Sequence, residues 1–381
     1  MRIAIEGSTW AFSRGFGRFT RGLTRALARL DTEHQLTLVL DSSAARRTDL
    51  PDIPHSVVST RHARDTTAAP EDWRSPVEML QMSRALSRFD AIVFPTHYAF
   101  VPVWPRARVG LVIHDAIPET IPDGRLRRRS ARLRWRAKTW LACRQASVVA
   151  TPTRASARSI RERLPIGNKP VVVLGAGADP VFSADATPED AGLVNPWVPP
   201  GRRFFLYVGG IGPHKRVPEL IRAFGRIAAA PDRTDPLLVL VGAEEGTPLE
   251  REAVERAVES LGPTRTRVVR PGFLPDRALA AVYRRATCLV LPSEAEGFGL
   301  PVLEAMASGT PVVASRIPAL QEVCADAAEY FDDLEGLPGA LTRVLEDPDR
   351  RSALSRRGLE RSAAFGWDEA AGSLLTALSC P

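Results

Sequence analysis

Short runs of valine, isoleucine and leucine alternate with longer amphipathic stretches along the whole of this 381-residue chain. Continuous apolar runs suit strands buried on both faces, and an intervening helix is the connection that parallel strands require. The alternation therefore predicts parallel α/β layers. In the first half, strands are expected at Arg2–Glu6, Leu36–Asp41, Ala91–Pro95, Arg108–His114, Ser147–Thr151 and Pro170–Leu174. Helices are expected near Phe16–Leu30, Val77–Phe89, Arg125–Gln145 and Arg154–Leu164. The second half repeats the scheme, with strands at Phe204–Gly209, Leu237–Gly242, Arg267–Arg270, Cys288–Pro292 and Pro311–Ser315.

Between the halves, Gly175 to Arg203 carries Pro180, Pro188, Pro196, Pro199 and Pro200 with little periodicity, a linker composition. At about 150 residues per domain the length allows two or three domains. The expected division is 1–182 as a first domain, 183–203 as a linker and 204–365 as a second domain. A detached helix pattern, Trp367 to Ser379, makes 366–381 a tail that packs back on the first domain. Two such halves place a central cleft at the carboxyl ends of their strands, where open α/β sheets bind ligands.

Several classes are set aside by simple counts. Glu6 interrupts the first apolar run, and the longest uncharged run, Ala91 to Pro105, holds three prolines and a histidine. Neither a secretory signal nor a bilayer span of roughly 18 to 20 apolar residues is expected. Cys143, Cys288, Cys324 and Cys380 are too scattered for a zinc site or a disulfide framework, so a cytoplasmic location is expected. The formal charge of +7 comes from 51 basic and 44 acidic residues, and the pI is near 9.7. Such a surface attracts phosphates, nucleic acid or anionic lipid. The arginines are dispersed apart from one helix and no nucleic-acid module is present, so no nucleic-acid partner is expected.

Two segments carry chemistry. In Pro292-Ser293-Glu294-Ala295-Glu296-Gly297-Phe298-Gly299-Leu300-Pro301-Val302-Leu303-Glu304 a buried strand ends, a glycine-rich loop follows and Pro301 opens a helix. Gly297 and Gly299 allow close backbone approach, and the helix start offers N–H groups to an anion. Glu296 and Glu304 bracket that site, as suits a phosphate flanked by hydroxyl-rich groups; the bland reading is acids decorating a helix first turn. The second segment, Tyr207-Val208-Gly209-Gly210-Ile211-Gly212-Pro213-His214-Lys215, follows the first strand of the same half. Lys215 is one of only three lysines, with Lys138 and Lys169, and supplies a compact charge for phosphate.

The paired acids in "EGFGLPVLEAMASGTPVV" resemble the E-x7-E motif of family 4 retaining glycosyltransferases. "YVGGIGPHKRVPELIRAF" resembles that family's phosphate loop, and "RPGFLPDRALAAVYRRATCLVLPS" its nucleotide-base loop and next strand. In the first half, Gly15-Phe16-Gly17-Arg18 resembles the glycine-rich turn after strand one, and "VIHDAIPE" the His-Asp strand end. The resemblance implies the GT-B fold, α/β with two Rossmann-like domains facing a central cleft, and catalysis without metal or other cofactor. It implies that a hexose passes from a nucleoside-diphosphate sugar, GDP-mannose or a UDP-hexose, to a hydroxyl acceptor. That acceptor would be a glycan, a lipid-linked sugar or a small metabolite.

By the same resemblance His114, Lys215 and Glu296 are catalytic. Gly15, Gly17, Gly209, Gly210, His214, Phe273, Leu274, Gly297, Phe298, Gly299, Leu300 and Glu304 would bind the donor. Arg18, His97 and Asp115 would face the acceptor. Glu296 would hold sugar hydroxyls, Glu304 the ribose, and Lys215 the departing diphosphate. Many relatives carry arginine where this chain has Gly210; His214 or Arg18 would substitute. The alternative reading, a non-catalytic GT-B-like auxiliary or binding protein, draws on that missing arginine. Asp347-Pro348-Asp349 precedes a helix and reads as a cap, not as a metal motif. Arg125 to Lys138 holds eight basic residues, with Leu133, Ala137, Trp140 and Leu141 on another face. That helix reads as a peripheral contact with an anionic membrane or as a solvated arginine face.

Overall fold

A computed structural model describes residues 1–13, 15–60, 74–104, 107–121, 129–229, 236–242 and 246–380. The chain forms two compact units, Met1–Gly177 with Gly366–Pro381, and Ala178–Phe365.

The first unit holds seven parallel strands: β1 (Arg2–Glu6), β2 (Gln35–Asp41), β3 (His55–Val58), β4 (Ala91–Phe94), β5 (Arg108–Val112), β6 (Val148–Thr151) and β7 (Val171–Val173). Their spatial order is β3-β2-β1-β4-β5-β6-β7. The inner strands are buried along most of their length, as their apolar runs require: Ile3, Ile5, Leu38, Ile92, Val93 and Leu111 are all inaccessible to solvent. Each such side chain contributes roughly 1.5–3 kcal/mol by leaving water. The strand β3 was not anticipated; it lies on the edge, where His55 and Val57 are exposed and no apolar run is needed.

Two helices of this unit pack together. Gly15–Arg29 buries Phe19, Leu23, Ala26 and Leu27 at helical spacing. Trp367–Ser379 buries Ala370, Ala371, Leu374 and Leu378 and lies against it. The two approach closely because Gly22 and Gly177 lack side chains. A Cβ on Gly22 would stand 2.2 Å from the Trp367 ring, and one on Gly177 would stand 2.7 Å from it.

The second unit has six parallel strands: β8 (Phe204–Val208), β9 (Leu237–Val241), β10 (Val268–Gly272), β11 (Cys288–Leu291), β12 (Val312–Ser315) and β13 (Ala328–Phe331). Their order is β10-β9-β8-β11-β12-β13. Here too the unanticipated strand, β13, is an edge with a mixed pattern, Ala-Glu-Tyr-Phe. Residues 183–203, expected as a linker, are a built part of this unit. Asp190–Val194 is a short helix, and Val194 and Val198 are fully buried. Arg284 clamps it, donating from Nε and Nη2 to the two Asp190 carboxylate oxygens at 2.6 and 2.7 Å. The prolines deny this segment regular structure, but its apolar anchors and this nearly buried ion pair fix it.

Candidate functional site

In a sheet ordered 3-2-1-4-5-6, connections leave strands 1 and 4 toward opposite faces, and the crevice at their carboxyl ends takes ligands. In the second unit those strands are β8 and β11, hydrogen-bonded neighbours whose following loops emerge side by side. The loop after β8 brings Lys215 and the loop after β11 brings Glu296. Lys215 Nζ donates to Glu296 Oε1 and Oε2 at 2.7 and 2.8 Å. Ser293 Oγ donates to Oε1 at 2.6 Å. The Glu296 side chain is 7% exposed and the Lys215 side chain 23%. Burial alone raises the Glu296 carboxyl; Lys215 and Ser293 outweigh it and hold the group below the usual carboxylate range. A carboxylate and an ammonium are thus fixed against each other at the sheet's carboxyl edge.

The backbone around them is specialised. Gly299 sits at φ 94°, a left-handed conformation open to glycine, and starts the helix Leu300–Ala307 with Pro301 in its first turn. The amide of Glu294 donates to the carbonyl of His214 at 2.7 Å, tying the two loops together. Tyr207 Oη donates to the carbonyl of Gly210 at 2.5 Å, and Gly209 N donates to Val241 O at 3.1 Å. Arg216, just after Lys215, holds φ 52° without being glycine, and pairs with Glu294 at 2.9 Å. Such conformations cost about 1–2 kcal/mol and cluster at functional sites. The sequence reading missed Arg216, Glu294 and Ser293, although Ser293 lies three residues before the acid it binds.

Glu304 was expected in the first turn of its helix. It is the fifth helical residue, 4% exposed, and accepts a hydrogen bond from Tyr283 Oη at 3.0 Å. A dipole decoration would sit earlier and in solvent, so the bland reading of Glu304 fails. Phe298 is 6% exposed and packs edge-on to Phe365, leaving its backbone as the part available to a ligand. Leu274 is buried beside the exposed Phe273, directly after the left-handed Gly272 that ends β10.

In the first unit the switch falls between β1 and β4. Gly17 is required by the loop after β1, since a Cβ there would stand 1.9 Å from the Phe12 carbonyl oxygen. Gly15 meets nothing within 4 Å, so packing gives no reason for glycine there. Arg18 is half-buried on the same helix. His114 follows β5 but is not at an exposed edge. Its ring is 9% exposed and lies 5.0 Å from Phe16 and 4.5 Å from Phe19. Its Nε2 is 3.0 Å from the Pro95 carbonyl, an acceptor, which places the proton on that nitrogen. Burial pushes its pKa down to about 4, only partly countered by that carbonyl. His114 is therefore neutral at physiological pH, a hydrogen-bonding group and not a charge. His97 is 3% exposed, packed on Tyr98 and Trp135, with burial holding its pKa well below the usual value. Asp115 Oδ1 accepts the amide of Ile117 at 2.9 Å, capping the turn that follows.

The basic helix is observed at Arg129–Gln145; 125–128 lie outside the described residues. Its inward face is Ala131, Trp135, Thr139 and Ala142; of the apolar set read from the sequence, Leu133, Ala137 and Trp140 are exposed and Leu141 is half-buried. Trp135 is chosen because its Nε1 donates to Glu119 Oε1 at 2.8 Å while its ring packs edge-on to His97 and tilted against Tyr98. Leu133 and Trp140 are left 71% and 52% exposed. Asp347 is the expected cap, its Oδ1 accepting the Arg350 amide at 2.9 Å.

Two Rossmann-type sheets of the same strand order, with a lysine–glutamate pair at the second one's switch point, define a GT-B protein. Residues 13–182 match the family described as Glycosyltransferase Family 4, and 196–361 match Glycosyl transferases group 1. The chain belongs to the family 4 glycosyltransferases. It is 32% identical over 168 residues to O-antigen chain mannosyltransferase B of Escherichia coli, 43% of this chain and 42% of that one. It is 35% identical over 184 residues to D-inositol 3-phosphate glycosyltransferase of Frankia alni, 45% of this chain and 43% of that one. The matches thus span less than half the length of these relatives. Sucrose-phosphate synthase of Thermosynechococcus elongatus superposes with a TM-score of 0.73 at 21% identity, covering 99% and 98% of the two chains. Anabaena HepE, solved with UDP and glucose, superposes with a TM-score of 0.73 at 18% identity over 100% of both chains.

Proposed function

We propose that this protein is a retaining glycosyltransferase that moves a hexose from a nucleoside-diphosphate sugar to a hydroxyl acceptor. The observation that carries it is the Lys215–Glu296–Ser293 constellation at the β8/β11 switch point. Breaking the sugar–phosphate bond throws negative charge onto the diphosphate, and a preorganised ammonium in a mostly buried site stabilises that charge as it forms. Lys215 provides it, with amides of the Gly297–Gly299 loop beside it. Glu296 accepts hydrogen bonds from donor-sugar hydroxyls, and Glu304, oriented by Tyr283, accepts those of the ribose. Neutral His114, with its Nε2–H donating to the Pro95 carbonyl, has Nδ1 left to accept a hydrogen bond. Retention follows from front-face attack, the leaving phosphate taking the acceptor proton as the new bond forms. The donor is a GDP- or UDP-hexose, and Arg216, on the same loop and paired with Glu294, is the cation assigned to offset the one missing at Gly210. Lys215 performs leaving-group stabilisation, so the reaction needs no divalent cation, and turnover should survive chelator.

A thermal-shift screen of nucleoside diphosphates and their sugars, followed by transfer assays on the hits, tests this reading. Stabilisation by one nucleotide class that is lost in Lys215→Ala and Glu296→Ala supports it. If nothing stabilises the chain, or both variants transfer sugar at the wild-type rate, the non-catalytic alternative stands instead.

A further inference from the structure

A cavity of about 230 Å³ lies in the first unit between the helices Pro76–Leu86 and Arg129–Gln145. It exceeds the roughly 150 Å³ apolar cavity that takes up benzene. Met79, Phe100, Val101, Pro102 and Leu141 make most of its wall. Two cations interrupt that wall, Arg74 and Lys138. Lys138 Nζ donates to the Tyr98 carbonyl at 2.5 Å. Arg74 is 5% exposed; its Nη2 donates to Glu6 Oε1 at 2.8 Å and to Ser8 Oγ at 2.5 Å. Its Nη1 is buried and has no partner among the described residues.

An unpaired guanidinium nitrogen beside an apolar cavity is costly unless an anion meets it. The elements forming the walls also expose Val77, Leu80, Trp104, Leu133 and Trp140. Arg132, Arg134 and Arg136 are exposed on the same helix as the last two. Apolar volume, a buried donor and a basic, aromatic rim describe one ligand class, an anion carrying a hydrocarbon chain. The cavity also adjoins the candidate site. Tyr98 lines it, and the Tyr98 ring lies 4.8 Å from Phe16, which in turn lies 5.0 Å from His114.

We propose that this cavity holds the hydrocarbon chain of a lipid phosphate, with Arg74 and Lys138 on its phosphate, and that the glycosyl acceptor is such a phosphate-bearing lipid. The acceptor assignment rests on the glycosyl-transfer reading above; the binding site does not. Calorimetry on the full chain with dodecyl phosphate below its micellar concentration, dodecyl maltoside and inorganic phosphate tests it. Dodecyl phosphate should saturate one site, with the other two showing at least about tenfold weaker binding. Ala137→Trp, a change at an exposed position on the cavity wall, should weaken it about tenfold, as should Lys138→Gln. Thermal shift by nucleotide sugars should be unchanged in both variants, which also reports their folding. The proposal is overturned if dodecyl phosphate does not saturate, if the maltoside binds equally, or if Ala137→Trp binds like wild type. Lipid binding without any nucleotide-sugar shift would leave the site standing and remove the acceptor role. A shift without lipid binding would remove the site and leave glycosyl transfer intact.

Discussion

Alanine at Gly22 would put a methyl group 2.2 Å from Trp367 Cε2 and 2.6 Å from Cζ2 and Nε1. Ordinary carbon contacts lie near 3.5–4.0 Å, so the indole must retreat by more than about 1 Å. It has no room to do so: the Gly177 backbone passes so close that a Cβ there would stand 2.7 Å from Cδ1. Phe19 adds an edge contact at 5.1 Å. Overpacking of a closed site costs about 1–3 kcal/mol, and expulsion of an indole about 3–5 kcal/mol. Gly22→Ala should therefore destabilise the first unit by about 3 kcal/mol. Urea unfolding followed by circular dichroism measures this in a cycle with Trp367→Ala. Once the indole is gone the methyl group meets little, so the two changes should couple by about 2 kcal/mol. Additivity within about 0.5 kcal/mol would refute the claim that Gly22 exists to admit Trp367.

Lys215→Ala and Glu296→Gln should each lower the transfer rate about 10²–10³-fold, read as kcat with donor saturating. Arg216→Gly should leave stability equal or raised by up to about 1 kcal/mol, because glycine accepts the left-handed backbone, while weakening nucleotide binding in a thermal-shift titration. His114 is held neutral with a pKa near 4 against 6.5 when free. Its contribution to stability is complete above pH 6.5 and is lost as the pH falls toward 4. That loss amounts to about 3 kcal/mol. Urea midpoints at pH 7 and 4.5 should show a smaller drop in His114→Gln than in wild type.

Inner strands were legible because burial on both faces imposes an unbroken apolar run, as at Phe204–Val208 and Cys288–Leu291. The edge strands β3 and β13 were not, since an edge carries no such demand. The Lys215–Glu296 pair was legible as two loops after two strands; that they touch follows from β8 and β11 being neighbours, which no local pattern states. The basic helix shows the opposite failure. Trp135 and Trp140 sit on different faces of one arginine-rich segment, and the aromatic cluster of His97 and Tyr98 with Glu119 decides which one turns inward. The buried state of His114 was equally invisible, since the phenylalanines enclosing it lie some ninety-five residues earlier, at Phe16 and Phe19.

The chain enters its second unit after Gly177 and returns to the first at Gly366. The helix Trp367–Ser379 is thus made after the whole of the second unit and is a core wall of the first. During translation the second unit can complete its contacts while the first still waits for its closing helix. The N-terminal half is then the later of the two to mature, and its apolar face around Phe19 and Leu23 stays uncovered until the chain has passed through the second unit.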